Sequence, residues 1–376
     1  DGIDYGCRPD IEAAYGDKLR PMDAFKDSAP AELVDCVGHD DLMVLMFTSG
    51  TTGRSKAVML SERNFFTTVE CQVKFGDAML NYKHEHMPED KNDVLSNFAI
   101  LPLFHLGTFI CLFVWACKGW ALNLSADIRD FYRDLGLMHS DAIAVAPMLM
   151  EAIYKDVKRG RRARLNGVWN PCGSSAMFDG AMLAELAQQG MMITRVYGMT
   201  ETCGDGIINY EQDEKHIRAV GKPDDHAEYK LDETGEICIR GGCVMLGYYK
   251  DPEATAEVLD ADGWFHTGDL ARVDEDGFYY ITGRKKNIII LDNGENVSPE
   301  ELENLLSKCE AVKECIVREK GKKICAVIYC GEADQQTVRD FITETNRTLP
   351  LYKRMSAVEF STEPLPRTGT GKLLRK

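Results

Sequence analysis

Short apolar segments recur along the first half of the chain with helix-period stretches between them, and this alternation constrains the fold more than any other feature. Residues 42–47, 57–60, 94–101, 142–146, 165–170 and 192–197 each have the length and composition of a strand. Ser61 is placed to cap a helix that runs through Phe65, Val69 and Val73. Strands separated by helical crossovers make a layered α/β core. After about residue 218 the texture changes to shorter, glycine-punctuated strands at 235–240, 263–268 and 277–281, which read as a small β-rich subdomain. A third unit begins near Arg284. Ser298 serves as N-cap, Pro299 takes the first helical position and Glu301 completes a capping box. Strands at 315–317 and 324–329 and a helix at 335–345 complete a small α+β unit. The expected division is a 1–217 α/β core, a 218–285 β-rich subdomain and a 286–376 α+β lid.

Charge and cysteine content narrow the function. A net charge of −16 over 376 residues argues against a nucleic-acid partner, which needs a basic face. The one basic cluster, residues 158–164, is either a solvated loop or a docking point for phosphates such as those of coenzyme A. Thirteen cysteines, an odd number, several within apolar runs, read as small core residues of a reduced, cytoplasmic protein rather than a disulfide framework. The eight histidines are scattered, and His84 and His86 lie in a polar loop without a cysteine partner, so a zinc site is not expected. The N-terminus lacks a basic-then-apolar targeting pattern. Residues 98–117 carry no formal charge, but Pro102, His105 and Gly107 interrupt them, leaving a short buried helix at 108–117 rather than a membrane segment.

Four loops carry chemistry. The first is Thr48-Ser49-Gly50-Thr51-Thr52-Gly53-Arg54-Ser55-Lys56, directly after an apolar strand. Glycines let backbone N–H groups turn toward a phosphate, hydroxyls add donors and the lysine adds charge. The spacing is not that of a Walker A loop. The second is Tyr197-Gly198-Met199-Thr200-Glu201, at a strand's carboxyl end, where ligands gather in open α/β sheets. Glu201 can offer Mg2+ a hard oxygen, and Thr200 can donate to a phosphate. The third pairs Thr267-Gly268-Asp269 with Arg284; one carboxylate can accept from both hydroxyls of a ribose. The fourth, Pro366-Arg367-Thr368-Gly369-Thr370-Gly371-Lys372, can deliver a lysine to developing negative charge. Each loop alone also fits an ordinary turn or tail.

Together and in this order, the four loops resemble the adenylate-forming superfamily of acyl-coenzyme A synthetases, luciferases and peptide-synthetase adenylation domains. The resemblance covers about residues 40–376. Residues 245–252, 263–270 and 293–301 are most similar to long- or medium-chain fatty acid ligases. It implies ATP, Mg2+ and coenzyme A as reaction partners and an acyl-adenylate intermediate. Thr48, Ser49, Gly50, Thr51, Thr52, Gly53 and Lys56 would cradle the β- and γ-phosphates. Gly173, Ser174 and Ser175 would line the adenine and carboxylate region, with Tyr197 against the base. Thr200 would touch the α-phosphate, Glu201 would hold Mg2+, and Asp269 and Arg284 would bind ribose. Lys286 falls at the hinge of a mobile lid, Lys372 at the adenylating lysine, and Gly294 where the pantetheine arm enters.

The chain departs from that family at Ser55 and Ala57, at Ser174-Ser175-Ala176 and at Asn287. Much of the portion that precedes the hydroxyl-rich loop in the family is absent, so part of the sheet and of the acyl pocket is expected to be missing. Amino-acid activators place an Asp where this chain has His105; an uncompensated ammonium would be costly there. A simple acyl or aryl acid, fatty acids foremost, is therefore the expected substrate, with His105 beside the acyl pocket. Phe104, Leu106, Phe109 and Met148 are candidates either for an apolar tunnel or for core. Two rival readings remain: transfer to an acyl carrier protein, and a catalytically poor nucleotide- or acyl-binding remnant.

Overall fold

The computed structural model describes residues 38–48, 56–125, 127–174, 178, 180–204, 206–291, 295–321, 323–367, 373 and 374. In chain order the elements are β1 (Leu42–Thr48), β2 (Lys56–Ser61), α1 (Glu62–His86), β3 (Ser96–Ala99), α2 (Leu106–Cys117), β4 (Ala121–Leu124), α3 (Phe131–Leu137), β5 (Ala142–Val145), α4 (Pro147–Lys158), β6 (Asn170–Ser174), α5 (Gly180–Gln188), β7 (Thr194–Gly198) and β8 (Gly206–Asn209). They continue with β9 (Ala227–Leu231), β10 (Glu236–Gly241), β11 (Gly247–Tyr248), α6 (Pro252–Ala256), β12 (Phe265–Val273), β13 (Tyr279–Arg284), β14 (Ile289–Ile290), β15 (Asn296–Val297), α7 (Pro299–Leu306), β16 (Glu314–Lys320), β17 (Lys323–Tyr329), α8 (Gln335–Thr348) and β18 (Ala357–Ser361).

The α/β core is a six-stranded sheet of order β4-β3-β5-β6-β7-β8. All its strands run parallel except β8, which closes one edge antiparallel. Helical crossovers are what such parallel neighbours require. Phe98, Ile143 and Val145 face one apolar layer with Met150 and Ile153 of α4 and Leu183 and Leu186 of α5. Ala142, Trp169 and Met192 join a second layer with α1, α2 and β2. Helices cover both faces, the arrangement in which parallel sheets are stable. A four-stranded antiparallel sheet, β13-β12-β10-β9, and a three-stranded one, β1-β2-β11, follow the expected change of texture. The smaller C-terminal unit packs α7 and α8 on β16-β17-β18 around Leu302, Leu306, Val338 and Ile342. The chain thus has a two-part α/β architecture, with a larger N-terminal and a smaller C-terminal part.

Helix α1 starts as expected: the Ser61 hydroxyl accepts from the Asn64 N–H at 3.3 Å, and Asn64 reaches back to the Ser61 N–H at 2.8 Å. Two expectations need correction. The strand placed at 165–170 lies further on, at β6. Residues Arg162–Leu165 form a 3-10 turn, and Asn166 (φ 43°) and Gly167 (φ 103°) are left-handed. Leu165, Val168 and Trp169 are buried without strand pairing, and the Trp169 indole donates to Asp141 at 3.0 Å. At α7 only half of the capping box forms. Ser298 accepts from the Glu301 N–H at 3.4 Å, while the Glu301 carboxylate turns to Lys353 at 2.7 Å.

The uncharged 98–117 stretch ends in α2, whose Leu106, Ile110 and Val114 enter the core. No helix among the described residues is long and apolar enough to cross a membrane.

Candidate functional site

Strands β3, β5, β6 and β7 run in one direction, so their carboxyl ends share one edge of the sheet. On that edge β6 ends in Gly173-Ser174 and β7 ends in Tyr197-Gly198. Gly173 is buried, and a Cβ there would stand 2.4 Å from the Phe178 ring. The chain leaves β7 into a 3-10 turn, Thr200–Thr202, that carries Glu201. Its backbone is fixed from the β-rich part, because the Met245 N–H donates to the Glu201 carbonyl at 2.9 Å.

One cluster forms around Asp269. Its carboxylate is buried and accepts from the Tyr197 hydroxyl at 3.1 Å. Arg284 Nε approaches its other oxygen at 2.5 Å. Register explains the ion pair: Asp269 and Arg284 are direct cross-strand partners of β12 and β13. Gly268, just before, has φ +71°, a left-handed conformation that glycine adopts without a Cβ clash. Burial, then the neighbouring Asp269 charge, push the Tyr197 hydroxyl well above the usual range, so it stays a protonated donor.

A second cluster forms around Tyr248. Its hydroxyl donates to Glu201 Oε1 at 2.8 Å, and Lys56 Nζ stands 4.4 Å from its ring centroid. Strand pairing again sets the geometry. Tyr248 on β11 pairs with Val58 on β2, which begins at Lys56. Burial, then the Glu201 charge, raise the Tyr248 pKa and keep that proton in place. Thr48 faces Lys56 in the β1–β2 register, with its hydroxyl 3.5 Å from the Lys56 carbonyl.

Ser49, Gly50, Thr51, Thr52, Gly53, Ser175, Gly294 and Lys372 lie outside the described residues. Arg367 and Leu373, which flank the last of these, are joined by an antiparallel bridge, and Arg367 pairs with Glu314 at 2.7 Å. The structure therefore brings Tyr197, Asp269 and Arg284 into one group and Lys56, Tyr248 and Glu201 into another.

Two models of one family match this chain. The AMP-binding enzyme model covers residues 8–249, and the AMP-binding enzyme C-terminal domain covers residues 301–372. The chain belongs to the AMP-binding enzyme family. Among curated relatives it is similar to 4-coumarate–CoA ligase 3 of Oryza sativa (29% identical, 94% of this chain and 66% of that protein). It is also similar to long-chain-fatty-acid–CoA ligase of Salmonella typhimurium (30% identical, 90% of this chain and 61% of that protein). The chain spans less than two thirds of the length of either. Its fold is similar to o-succinylbenzoate coenzyme A synthetase (MenE) from Bacillus subtilis, in complex with ATP and magnesium ion. There the TM-score is 0.74 at 25% identity, over 94% of this chain and 73% of that one.

In this member of the family the remaining sequence candidates separate. His105 is exposed and precedes α2 as its N-cap residue. Leu106 is core and Phe109 packs against core, whereas Phe104 (81%) and Met148 (65%) are exposed, so the four do not line one tunnel. Lys286 is exposed in the 3-10 turn Lys285–Asn287 that follows β13. Three arginines of the basic cluster are engaged within the fold. Arg161 and Arg164 pair with buried Asp156 at 2.7 and 3.1 Å, and Arg162 donates to the Gln189 carbonyl at 2.6 Å.

Sequence reasoning missed Glu236. This buried carboxylate accepts from the Gly268 N–H at 2.7 Å and from Lys285 at 2.7 Å, joining the Asp269 turn to the residue beside Lys286. A charged residue opening the apolar run Ile237-Cys238-Ile239 was the available signal.

Proposed function

We propose that this chain activates a carboxylic acid with ATP, releasing pyrophosphate and forming an acyl-adenylate, and then passes the acyl group to the thiol of coenzyme A. The observation that carries the reading is the Asp269 cluster. A buried carboxylate held by Tyr197 and Arg284 at the carboxyl edge of a parallel sheet suits a ribose diol, with Tyr197 beside the base. Family membership supports the chemistry, and the names of the relatives support coenzyme A as acceptor.

The other roles follow the same reading. Thr48, Ser49, Gly50, Thr51, Thr52, Gly53 and Lys56 hold the β- and γ-phosphates; Gly173, Ser174 and Ser175 border the nucleotide and the carboxylate. Thr200 donates to the α-phosphate. Glu201 suits Mg2+ because it is half-buried and only Oε1 is engaged by Tyr248, leaving Oε2 as a hard ligand. The ion would supply charge neutralisation on the phosphates. Lys372 stabilises charge between carboxylate and α-phosphate. Residues 286–376 turn about Lys286 between the half-reactions, so that Gly294 borders the thiol's path.

The acid is a simple one without an α-ammonium, because His105 stands where an amine activator needs a carboxylate. A fatty acid is the first choice; an aryl acid is the second, favoured by similarity to a 4-coumarate ligase. Acid-dependent ATP–pyrophosphate exchange over a panel of fatty, aryl and amino acids tests all of this. Exchange with a fatty or aryl acid and thioester formation with free coenzyme A are expected. Exchange without a thioester would move the acceptor to a carrier protein, and ATP binding without exchange would leave only a binding remnant.

A further inference from the structure

Away from the Asp269 and Tyr248 clusters, helix α1 and the turn leading into β9 bring three metal-type ligands together. Cys71 lies on the buried face of α1, and Asp224 and His226 lie on the turn. Cys71 Sγ is 3.2 Å from Asp224 Oδ2, and His226 Nδ1 pairs with Oδ1 of the same carboxylate. One sulfur, one imidazole nitrogen and one carboxylate oxygen all lie within 4.8 Å of one another. Tetrahedral zinc binds such atoms at about 2.0–2.3 Å, which sets ligand-to-ligand edges of about 3.3–3.8 Å. The Cys71–Asp224 separation is close to such an edge, and the His226–Asp224 contact is tighter, so the imidazole has to move outward to complete one face of the tetrahedron.

The surroundings are those of a built site. Asp224 Oδ1 also accepts the His226 backbone N–H at 2.9 Å. His226 Nε2 faces the Tyr229 hydroxyl at 3.5 Å, and that hydroxyl donates to the Gly206 carbonyl at 2.8 Å. A ligating histidine needs such a partner on its second nitrogen to fix the tautomer. Lys74, one turn along from Cys71, pairs with Asp225 at 2.8 Å and holds the same turn against the helix. The His226 side chain is 6% exposed and that of Asp224 36%, so one side of the trio is open to water. A thiolate, a carboxylate and a neutral imidazole carry two negative charges, matching a divalent ion. The sulfur selects a zinc-class metal over magnesium or calcium.

We propose that Cys71, Asp224 and His226 bind one zinc-class divalent ion, with water as fourth ligand, and that the ion staples α1 to the first strand of the β-rich part. Binding releases the Cys71 proton to solvent. Cys71 and Asp224 are 153 positions apart, so no spacing motif announces the site.

The test uses the full chain, stripped with a chelator, carrying no metal-binding tag and titrated with Co2+. The expected result is about one bound ion per chain, a sulfur-to-cobalt charge-transfer band and intense tetrahedral visible bands, all removed by added Zn2+. Cys71→Ser should lose the charge-transfer band. His226→Gln should keep it but bind about tenfold or more weakly, and it carries the test if Cys71→Ser does not fold. Zn2+ should raise the Tm of the wild type more than that of His226→Gln. A wild-type spectrum without a thiolate band overturns the proposal, as does a band that survives in Cys71→Ser or unchanged affinity in His226→Gln.

Discussion

The Tyr248 hydroxyl donates to Glu201 Oε1 at 2.8 Å while Lys56 rests on the same ring. One side chain thus orients the carboxylate assigned to Mg2+ and the lysine at the end of the phosphate loop. Tyr248→Phe keeps the ring beneath Lys56 and frees Glu201 to rotate. The Mg2+ concentration for half-maximal ATP–pyrophosphate exchange should rise about tenfold or more, as for other outer partners of ligating groups. An unchanged Mg2+ requirement would remove Glu201 from the metal site.

Asp269→Asn preserves the shape of the clamp and a Tyr197 hydrogen bond but removes the charge facing Arg284. A hydrogen bond to a charged group contributes about 1.5–3 kcal/mol. The KM for ATP should rise about tenfold or more, whereas 2′-deoxy-ATP should be used almost equally by variant and wild type. A variant that still prefers ATP as strongly as the wild type would place the ribose elsewhere.

Lys372→Ala should lower adenylation by on the order of 100-fold or more, since the proposed role gives that charge to the transition state. Thioester synthesis from a preformed acyl-adenylate should persist. Equal loss in both half-reactions would contradict a lid that changes face.

Gly283→Ala probes the seam between the two parts. A Cβ there would stand 2.3 Å from Ser298 Oγ and 3.1 Å from Glu300 Oε2, so Ser298 must leave the Thr282 carbonyl it now reaches at 2.7 Å. Thermal unfolding should show a loss of about 1–3 kcal/mol, typical of overpacking. Proteolysis should cut faster near residue 286. Wild-type stability and cleavage rate would mean the seam is looser than its contacts suggest.

His216, in the turn after β8, reaches the β12–β13 turn of the β-rich part. It stacks on Phe278 and faces Asp213 at 3.0 Å, Asp276 at 3.1 Å and Asp274 at 3.9 Å, with Lys215 adjacent. Partial burial opposes its charge, but hydrogen bonds to Asp213 and Asp276 prevail and raise its pKa. A raised pKa contributes stability below the unfolded value, about 6.5, and loses it as pH climbs through the folded value. His216→Gln should therefore lower Tm at a pH of about 6, and the difference should shrink toward a pH of about 9. A constant difference would exclude the charge as its source.

The α/β core was legible because its strands and α1 bury one-type faces, and apolar spacing reports burial directly. Strand β6 was misplaced for a physical reason. Leu165, Val168 and Trp169 are as buried as strand residues, while the true strand contains Pro171, which cannot donate to a ladder and reads as a breaker. The Asp269–Arg284 pair was legible by type but not by contact, since cross-strand register supplies the contact. Glu236 and the Cys71–Asp224–His226 trio were hidden because their partners lie far along the chain.

Ser298 has consequences for any turning of the C-terminal part. Its hydroxyl accepts from the start of α7 and donates across the seam to Thr282, yet Glu300 Oε2 waits 3.1 Å away on its own helix. If the seam parts as proposed, the proton can change acceptor without the helix losing its cap and without leaving a hydroxyl stranded. On the proposed turning, Ser298 thus keeps an acceptor on its own helix when it gives up the one across the seam.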